Sequence, residues 1–154
     1  MDNELLDASS VFTSLDLDHR LQKALSDLNY QHPTLIQSTA IPLALEGKDI
    51  LARARTGSGK TAAYCLPLLQ KILSLEDQQV ISALILVPTR ELAEQVTLEL
   101  IKFCKYCSHI RMLNLSNGDQ SMSNQRPLLA EKPQVLISTP SKVLAHLNAQ
   151  VTLI

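Results

Sequence analysis

Hydrophobic residues in the first third of the chain recur every three or four positions, the period of an amphipathic helix. The pattern begins after Asp18, a favourable N-cap residue, and Pro33 ends it. Thr34 opens a second helical pattern that continues to about Leu45. The acidic and polar residues 1–11 lack this period, and we expect them to form a loose leader.

Short apolar runs alternate with helical patterns along the remainder of the chain. We predict strands at Asp49–Arg53, Val80–Val87, Ile110–Leu115 and Gln134–Ser138. We predict helices at Lys60–Leu75, bent at Pro67, and after Pro88-Thr89 and Thr139-Pro140, with a polar loop or a weak helix start at 116–126. The run Val80–Val87 is nearly all apolar, which is typical of a strand buried on both faces. This alternation indicates an α/β fold with parallel strands and right-handed crossovers.

The composition fits one globular domain with an aliphatic core. Of the 154 residues, 45% are hydrophobic, 19% are charged and only 3% are aromatic. The net charge of −1 gives no bulk electrostatic argument for a nucleic-acid partner. Local geometry would have to hold any such partner.

The cysteines and the N-terminus bear on the compartment. An odd count of three cysteines argues against a disulfide framework. Cys104 and Cys107 have the C-x-x-C spacing of a zinc site, but no second ligand pair is nearby, so we expect two cysteines one turn apart on a helix. There is no signal segment and no apolar run of membrane-spanning length. We therefore expect a cytosolic or nuclear protein without a membrane partner.

The segment from Ala54 to Thr61 reads A-R-T-G-S-G-K-T and is close to the phosphate-binding pattern G-x-x-x-x-G-K-[ST]. Small residues let backbone N–H groups turn toward phosphate oxygens, and the following helix points its positive end at the anion. The predicted nucleotide-binding residues here are Ala54, Arg55, Thr56, Gly57, Ser58, Gly59, Lys60 and Thr61. Lys60 and Thr61 are the predicted catalytic residues: Lys60 reaches the terminal phosphates, and the Thr61 hydroxyl is the predicted Mg²⁺ ligand. A plain strand–helix turn is the alternative.

A second motif lies upstream of this loop. Thr34-x-x-Gln37 is by itself a helix capping box, and Tyr30 by itself is a half-buried core aromatic. Without a phosphate loop nearby, these would be the preferred interpretations of both residues.

These motifs together resemble those of the DEAD-box ATP-dependent RNA helicases. The residues that resemble the adenine-reading Q motif are Phe12, Tyr30, Pro33, Thr34, Ile36 and Gln37, with Asn29 where the family usually has glycine. The family's A-x-T-G-S-G-K-T, P-T-R-E-L and T-P-G-R motifs are matched by Ala54–Thr61, Pro88–Leu92 and Thr139–Lys142. Order and spacing agree from Phe12 to about Leu144.

The resemblance implies a RecA-like P-loop NTPase domain that binds ATP and Mg²⁺. In such a domain Gln37 would read the adenine edge, Tyr30 would stack on the base, and Phe12 would brace that segment. The Gln37 amide offers a donor and an acceptor, so in that role it could favour adenine over guanine. The resemblance also implies binding of an RNA backbone. The residues it assigns to RNA are Pro88, Thr89, Arg90, Gly118, Thr139, Pro140, Ser141 and Lys142.

The predicted RNA residues follow strand ends at the carboxyl edge of a parallel sheet, where free N–H groups and helix dipoles suit phosphates. Such contacts read the backbone, so binding should be independent of sequence. Ordinary helix capping with surface charges is the alternative. Ser141 stands where the family has glycine, and only Gly118 remains of the family's paired-glycine segment near 115–118.

The 154 residues contain no D-E-A-D or S-A-T motif and no second RecA-like domain. The resemblance therefore implies that residues 12–154 are an incomplete first RecA-like domain, truncated before the D-E-A-D strand. Such a domain would bind ATP and RNA but would neither hydrolyse ATP nor unwind RNA. Because the missing strands lie between the P-loop strand and the others in that fold, we expect the chain alone to be unstable or incompletely folded in solution.

The sequence Ala52–Thr56 and the P-S-K form of the last motif resemble the nucleolar branch of the family that assists assembly of the large ribosomal subunit. That resemblance implies pre-ribosomal RNA as the partner and a nuclear, nucleolar location. Two other functions stay open: a truncated product that binds RNA or partners without turnover, and a P-loop metabolite kinase.

Overall fold

The computed structural model describes residues 6–75, 80–118 and 121–149. Over these ranges the elements are a 3-10 turn (Phe12–Ser14), α1 (His19–Asp27), α2 (Leu35–Leu45), α3 (Lys60–Ser74), β1 (Ala83–Leu86), α4 (Arg90–Phe103), β2 (Met112–Asn114), α5 (Met122–Ala130), β3 (Val135–Ser138) and α6 (Pro140–Asn148). The chain divides into two compact units. The first runs up to Ser74 and includes Lys102–Cys107, and the second comprises Leu75–Ile101 and the chain from Ser108 onward.

Helix α1 begins and ends as its sequence dictates. The Asp18 side chain caps it by accepting from the Arg20 N–H at 2.9 Å, as predicted. At the other end the Tyr30 N–H donates to the Leu25 carbonyl at 2.9 Å, and the Asn29 N–H donates to the Ser26 carbonyl at 3.0 Å. This is a Schellman motif, whose C′ residue must adopt a left-handed backbone. Asn29 has φ of 59°, so this position needs a residue that tolerates the left-handed region, as asparagine and glycine do.

Helices α2 and α3 pack against each other in the first unit. Both begin where the sequence predicts, α2 after Thr34 and α3 at Lys60 with Pro67 inside it. Residues of the expected leader bond to the segment before α2, because Leu6 bridges Thr34 and the Asp7 N–H donates to the Pro33 carbonyl at 2.8 Å.

The predicted strand Asp49–Arg53 is wrong. The segment has no strand pairing among the described residues, and Leu51 is fully exposed. A strand needs a neighbour for its backbone N–H and C=O groups, and an apolar run alone does not supply one.

The second unit contains a parallel three-stranded sheet in the order β1-β3-β2. All four residues of β3 are buried, whereas β1 lies at the edge with Leu84 and Leu86 about half exposed. The expectation that this run is buried on both faces is therefore wrong, since an edge strand with an open face leaves alternate side chains uncovered. The α/β class with a parallel sheet is confirmed.

Two further expectations need correction. Helix α5, capped by Ser121, extends to Ala130 and is longer than the loop or weak helix start expected at 116–126. Cys104 and Cys107 do not lie on a helix: α4 ends at Phe103, and the Cys107 N–H closes a turn onto the Cys104 carbonyl at 2.8 Å.

In the described ranges no three His, Cys, Asp or Glu side chains are grouped to hold a metal ion. No helix in those ranges is long and apolar enough to cross a membrane.

A buried polar pair lies between α5 and α6. Gln125 and His146 are both fully buried, and Gln125 Oε1 lies 2.7 Å from His146 Nε2. Gln125 Nε2 donates to the Leu115 carbonyl, just after β2, at 2.9 Å. Burial lowers the pKa of His146, and the cationic side chains of Lys142 and Arg126 lower it further.

We expect Asn29→Val to lower the free energy of unfolding by about 1–2 kcal/mol, because a β-branched residue fits the left-handed region poorly. Asn29→Gly should be neutral or slightly stabilising. Urea denaturation followed by circular dichroism measures both. The control is Gln31→Val, an exposed neighbour with negative φ. Equal losses for the two valine variants would contradict the account of Asn29.

We expect the chain to lose stability as the pH falls below about 6.5, the ordinary pKa of histidine. Because the folded-state pKa of His146 is lower, the unfolded state binds the extra proton first, and stability rises with pH across that interval. His146→Phe should flatten this part of the pH profile in urea denaturation. The control variant is Leu129→Ala, which removes no titratable group from the neighbouring helix α5 and should keep the parent slope. A profile unchanged by His146→Phe would contradict the prediction.

Candidate functional site

The glycine loop of the first unit has the backbone that its sequence requires. Gly57 has φ of 80° and Gly59 has φ of 87°, a region that favours glycine. Lys60 begins α3 and folds back, so that its Nζ donates to the carbonyls of Ala54 and Arg55, each at 2.6 Å. The loop therefore closes around its own lysine, with the N-terminal end of a 15-residue helix behind it.

Two observations fit this loop to a phosphate group. The Ser58 side chain is 5% exposed, and within the described part of the chain its hydroxyl has no hydrogen-bond partner. The Lys60 ammonium bonds to the neutral carbonyls of Ala54 and Arg55. An anion entering the loop could bond to both groups. Thr61 lies in the first turn of α3, where its hydroxyl could hold Mg²⁺ beside a bound phosphate.

Gln37 joins the start of α2 to the glycine loop. Its side chain is 2% exposed; Oε1 accepts from the Thr34 N–H at 2.9 Å, and Nε2 donates to the Gly59 carbonyl at 3.1 Å. The first bond is half of a capping box. In the other half, the Thr34 hydroxyl faces the helix end without a well-formed hydrogen bond. The capping interpretation therefore holds for Gln37, and the bond to Gly59 adds a contact that capping alone does not explain.

Tyr30, Gln37 and the glycine loop line one cavity. It has a volume of about 300 Å³, and its walls include Tyr30, His32, Gln37, Gly57 and Gly59. Phe12 is buried beneath Tyr30, with ring centroids 5.7 Å apart. Phe103 meets the Tyr30 ring edge-on at 6.1 Å. The structure thus brings together the predicted base-reading residues and the loop, and it holds the tyrosine between two aromatic neighbours.

The residues predicted to meet RNA lie in the second unit, where the three strands end. We call Arg90, Asn117, Gly118 and Thr139–Lys142 the strand-end surface. Because β1, β2 and β3 are parallel, the segments that follow them emerge at one edge of the sheet. The Arg90 guanidinium lies against Gly118, where a Cβ atom would collide with it. The two residues line a cavity of about 320 Å³ whose wall also includes Glu91 and Glu94.

Capping accounts for some of the predicted residues. The Leu92 N–H donates to Thr89 Oγ1 at 3.2 Å, so Thr89 caps α4, and Pro88 is exposed before it. Pro140 is the first residue of α6. Ser141 is exposed, and Lys142 is half-buried on the next position.

Sequence reasoning missed Ser116, Gln125 and His146. Ser116 Oγ accepts from the Thr139 N–H at 2.8 Å and donates to Thr139 Oγ1 at 3.2 Å, which links two strand ends. A small hydroxyl residue directly after a strand was a usable signal. Gln125 and His146 gave none, because a single polar residue in a helical pattern is normally assigned to the exposed face.

Known proteins resemble this chain over nearly its whole length. The sequence profile described as DEAD/DEAH box helicase matches residues 34–154. The ATP-dependent RNA helicase dbp9 of Schizosaccharomyces pombe is 48% identical over 149 residues, which are 94% of this chain and 25% of that protein. The probable ATP-dependent RNA helicase ddx56 of Dictyostelium discoideum is 43% identical over 149 residues, 95% of this chain and 22% of that protein.

A solved structure agrees with these sequences. The crystal structure of a DEAD box protein from the hyperthermophile Methanococcus jannaschii matches with a TM-score of 0.77 and 30% identity, covering 92% of this chain and 38% of that one. The chain thus spans only part of the length of the proteins it matches. Since the profile covers most of its residues, the chain belongs to the DEAD/DEAH box helicase family.

Proposed function

We propose that this chain is the ATP-binding and RNA-backbone-binding part of an ATP-dependent RNA helicase. The observation that carries the proposal is one cavity whose walls include Tyr30, Gln37, Gly57 and Gly59, so that the residues proposed to read a base lie beside the loop proposed to hold phosphate. Family membership and the names of the relatives support ATP and RNA as ligands.

Phosphate binding rests on Lys60, Ser58 and the first turn of α3. The Lys60 ammonium leaves the carbonyls of Ala54 and Arg55 for the terminal phosphates, and the backbone N–H groups of the loop turn to the oxygens. Thr61 is the residue that would hold Mg²⁺, whose charge offsets the negative charge of the phosphates. Lys60 and Thr61 are in this way the proposed catalytic residues on the loop.

Adenine selection rests on the unused capacity of the Gln37 amide. An amide group offers two N–H donors and two acceptor lone pairs, and Gln37 gives one donor to Gly59 and one lone pair to Thr34. One donor and one acceptor remain, the pair that the adenine edge requires. Tyr30 would stack on the base, and Phe12 holds Tyr30 from below.

RNA binding is proposed for the strand-end surface together with Pro88 and Thr89. Arg90 and Lys142 supply positive charge, and the starts of α4 and α6 supply the positive ends of helix dipoles. These groups contact phosphates and not base edges, so the binding is independent of base sequence. We propose pre-ribosomal RNA as the substrate and the nucleolus as the location, supported by the sequence resemblance to the branch that assists large-subunit assembly.

We propose that this chain binds ATP and that ATP hydrolysis needs the rest of the parent enzyme. No D-E-A-D or S-A-T sequence occurs in the 154 residues. Phosphoryl transfer depends on positioned charges of that kind. We therefore propose that residues 12–154, an incomplete first RecA-like domain, bind ATP without hydrolysing it, and that hydrolysis and unwinding belong to the whole helicase.

We expect Lys60→Ala to weaken binding of a fluorescent ATP analogue by roughly tenfold to a hundredfold, the range for losing a charged hydrogen bond. Lys71→Ala, which removes an exposed lysine from the same helix, is the matched control and should bind like the parent. Fluorescence titration measures both affinities.

Competition between nucleotides tests the role of Gln37 in the same assay. ATP should displace the analogue at a concentration at least about tenfold lower than GTP or CTP, because a mismatched base leaves the amide unpaired. Equal displacement by all three nucleotides would show that Gln37 does not select the base.

We expect the chain to bind several single-stranded RNAs of different sequence with similar affinity, and added salt should weaken all of them. Arg90→Ala should weaken binding to every RNA. It should also reduce the slope of log binding constant against log salt concentration by about one, the equivalent of one released counterion. Arg111→Ala, which removes a cation before β2 at the opposite edge of the sheet, serves as the control. Fluorescence anisotropy measures the affinities. Binding to one sequence alone, or an equal loss from Arg111→Ala, would overturn the assignment.

A further inference from the structure

Helix α6 is attached to the end of β2 at two points. At its start, the Thr139 N–H donates to Ser116 Oγ at 2.8 Å. Further along the helix, His146 Nε2 lies 2.7 Å from Gln125 Oε1, and Gln125 Nε2 donates to the Leu115 carbonyl at 2.9 Å. Two consecutive residues after β2 are therefore held from both ends of one helix. We call Ser116, Gln125 and His146 the polar clamp.

The hydrogen bonds of the clamp have a fixed direction. Because Gln125 Nε2 gives its hydrogen to a carbonyl, Gln125 Oε1 is the atom that faces His146, and His146 Nε2 must carry the hydrogen. The lowered pKa of His146 agrees with this neutral form. Gln125 and His146 are 0% exposed and Ser116 is 4% exposed, so removal of any member leaves a buried polar atom without its partner.

The clamp begins where the sheet ends. The Leu115 N–H still pairs with the Ile137 carbonyl at 2.9 Å, but the Leu115 carbonyl bonds to Gln125. Over Ser116–Gly118, the described residues that follow, no strand pairing fixes the direction of the chain, and Asn117 and Gly118 are exposed. Apolar packing is non-directional and does not set the path of a turn, whereas hydrogen bonds do.

We propose that the polar clamp positions the strand-end surface for an RNA backbone. It fixes the turn that carries Gly118, against which Arg90 lies, relative to the start of α6. Ser116, Gln125 and His146 are then positioning residues, which act through the backbone and do not touch RNA. The inference rests on the RNA-binding half of the proposed function.

Two buried glutamines make a matched test. Gln125→Met removes the hydrogen bonds that join His146 to the Leu115 carbonyl and keeps the side-chain length. Gln134→Met removes a glutamine that is 6% exposed and accepts from the Arg111 N–H at 2.9 Å, at the opposite edge of the same sheet. The chain and both variants are titrated with fluorescein-labelled single-stranded oligouridine and with a fluorescent ATP analogue, and thermal melts are recorded.

Both variants should melt at a lower temperature, and only Gln125→Met should lose RNA affinity, by roughly fivefold. Affinity for the ATP analogue should stay within about twofold for both variants, a difference near the size of ordinary coupling errors. Hydrogen exchange of the 116–118 amides should be faster in Gln125→Met alone. If Gln125→Met does not fold, Ser116→Ala, which cuts the other attachment with the loss of one oxygen atom, should show the same RNA loss.

Unchanged RNA affinity in Gln125→Met, or equal losses in both glutamine variants, would overturn the positioning role while leaving the RNA function in place. If Ser116→Ala has to be used, parent-like RNA affinity in that variant overturns it equally. A parent chain that binds the ATP analogue but no oligouridine would instead remove the RNA-binding function, and the inference would fall with it.

Discussion

The side-chain amide of Gln37 is the interaction on which the first unit depends. It completes the N-terminal end of α2 through Thr34 and holds the glycine loop through the Gly59 carbonyl. A buried amide with both ends bonded fixes the distance between those two elements, and losing either partner would leave a buried polar atom unsatisfied. Gly59 must be glycine for two reasons, because its φ is positive and because a Cβ atom would collide with the Gln37 amide.

The second unit depends on a different constraint, the parallel direction of its strands. Parallel strands place all their carboxyl ends at one edge, so residues far apart in sequence, such as Arg90, Gly118 and Thr139, emerge together. Direction alone does not set the path of the turns beyond the strands. In this chain buried polar side chains take over that task, beginning with Ser116, whose hydroxyl accepts from the Thr139 N–H.

The sequence predicted features set by local chemistry and missed those set by distant partners. The Asp18 cap and the Thr139-Pro140 helix start are where they were expected, because a cap depends on residues two or three positions away. The prediction of a strand at Asp49–Arg53 was wrong because strand pairing requires a neighbouring strand, which an apolar pattern cannot reveal. The sequence gives no signal for the pair of Gln125 and His146, since neither residue belongs to a motif. Only the packing of α5 on α6 brings the two side chains together.

The closed state of the glycine loop bears on how nucleotide affinity would arise. Lys60 already bonds to two carbonyls at 2.6 Å, so under the proposed function phosphate binding would exchange those bonds for bonds to phosphate, and only the difference in free energy would contribute to affinity. The exchange would be favourable because phosphate carries full negative charge and carbonyls carry partial charge. The buried Ser58 hydroxyl adds to it, since an unsatisfied buried donor costs about 1–3 kcal/mol. In the proposed function the loop is therefore shaped in advance, and part of its affinity comes from relieving groups that the closed state leaves poorly bonded.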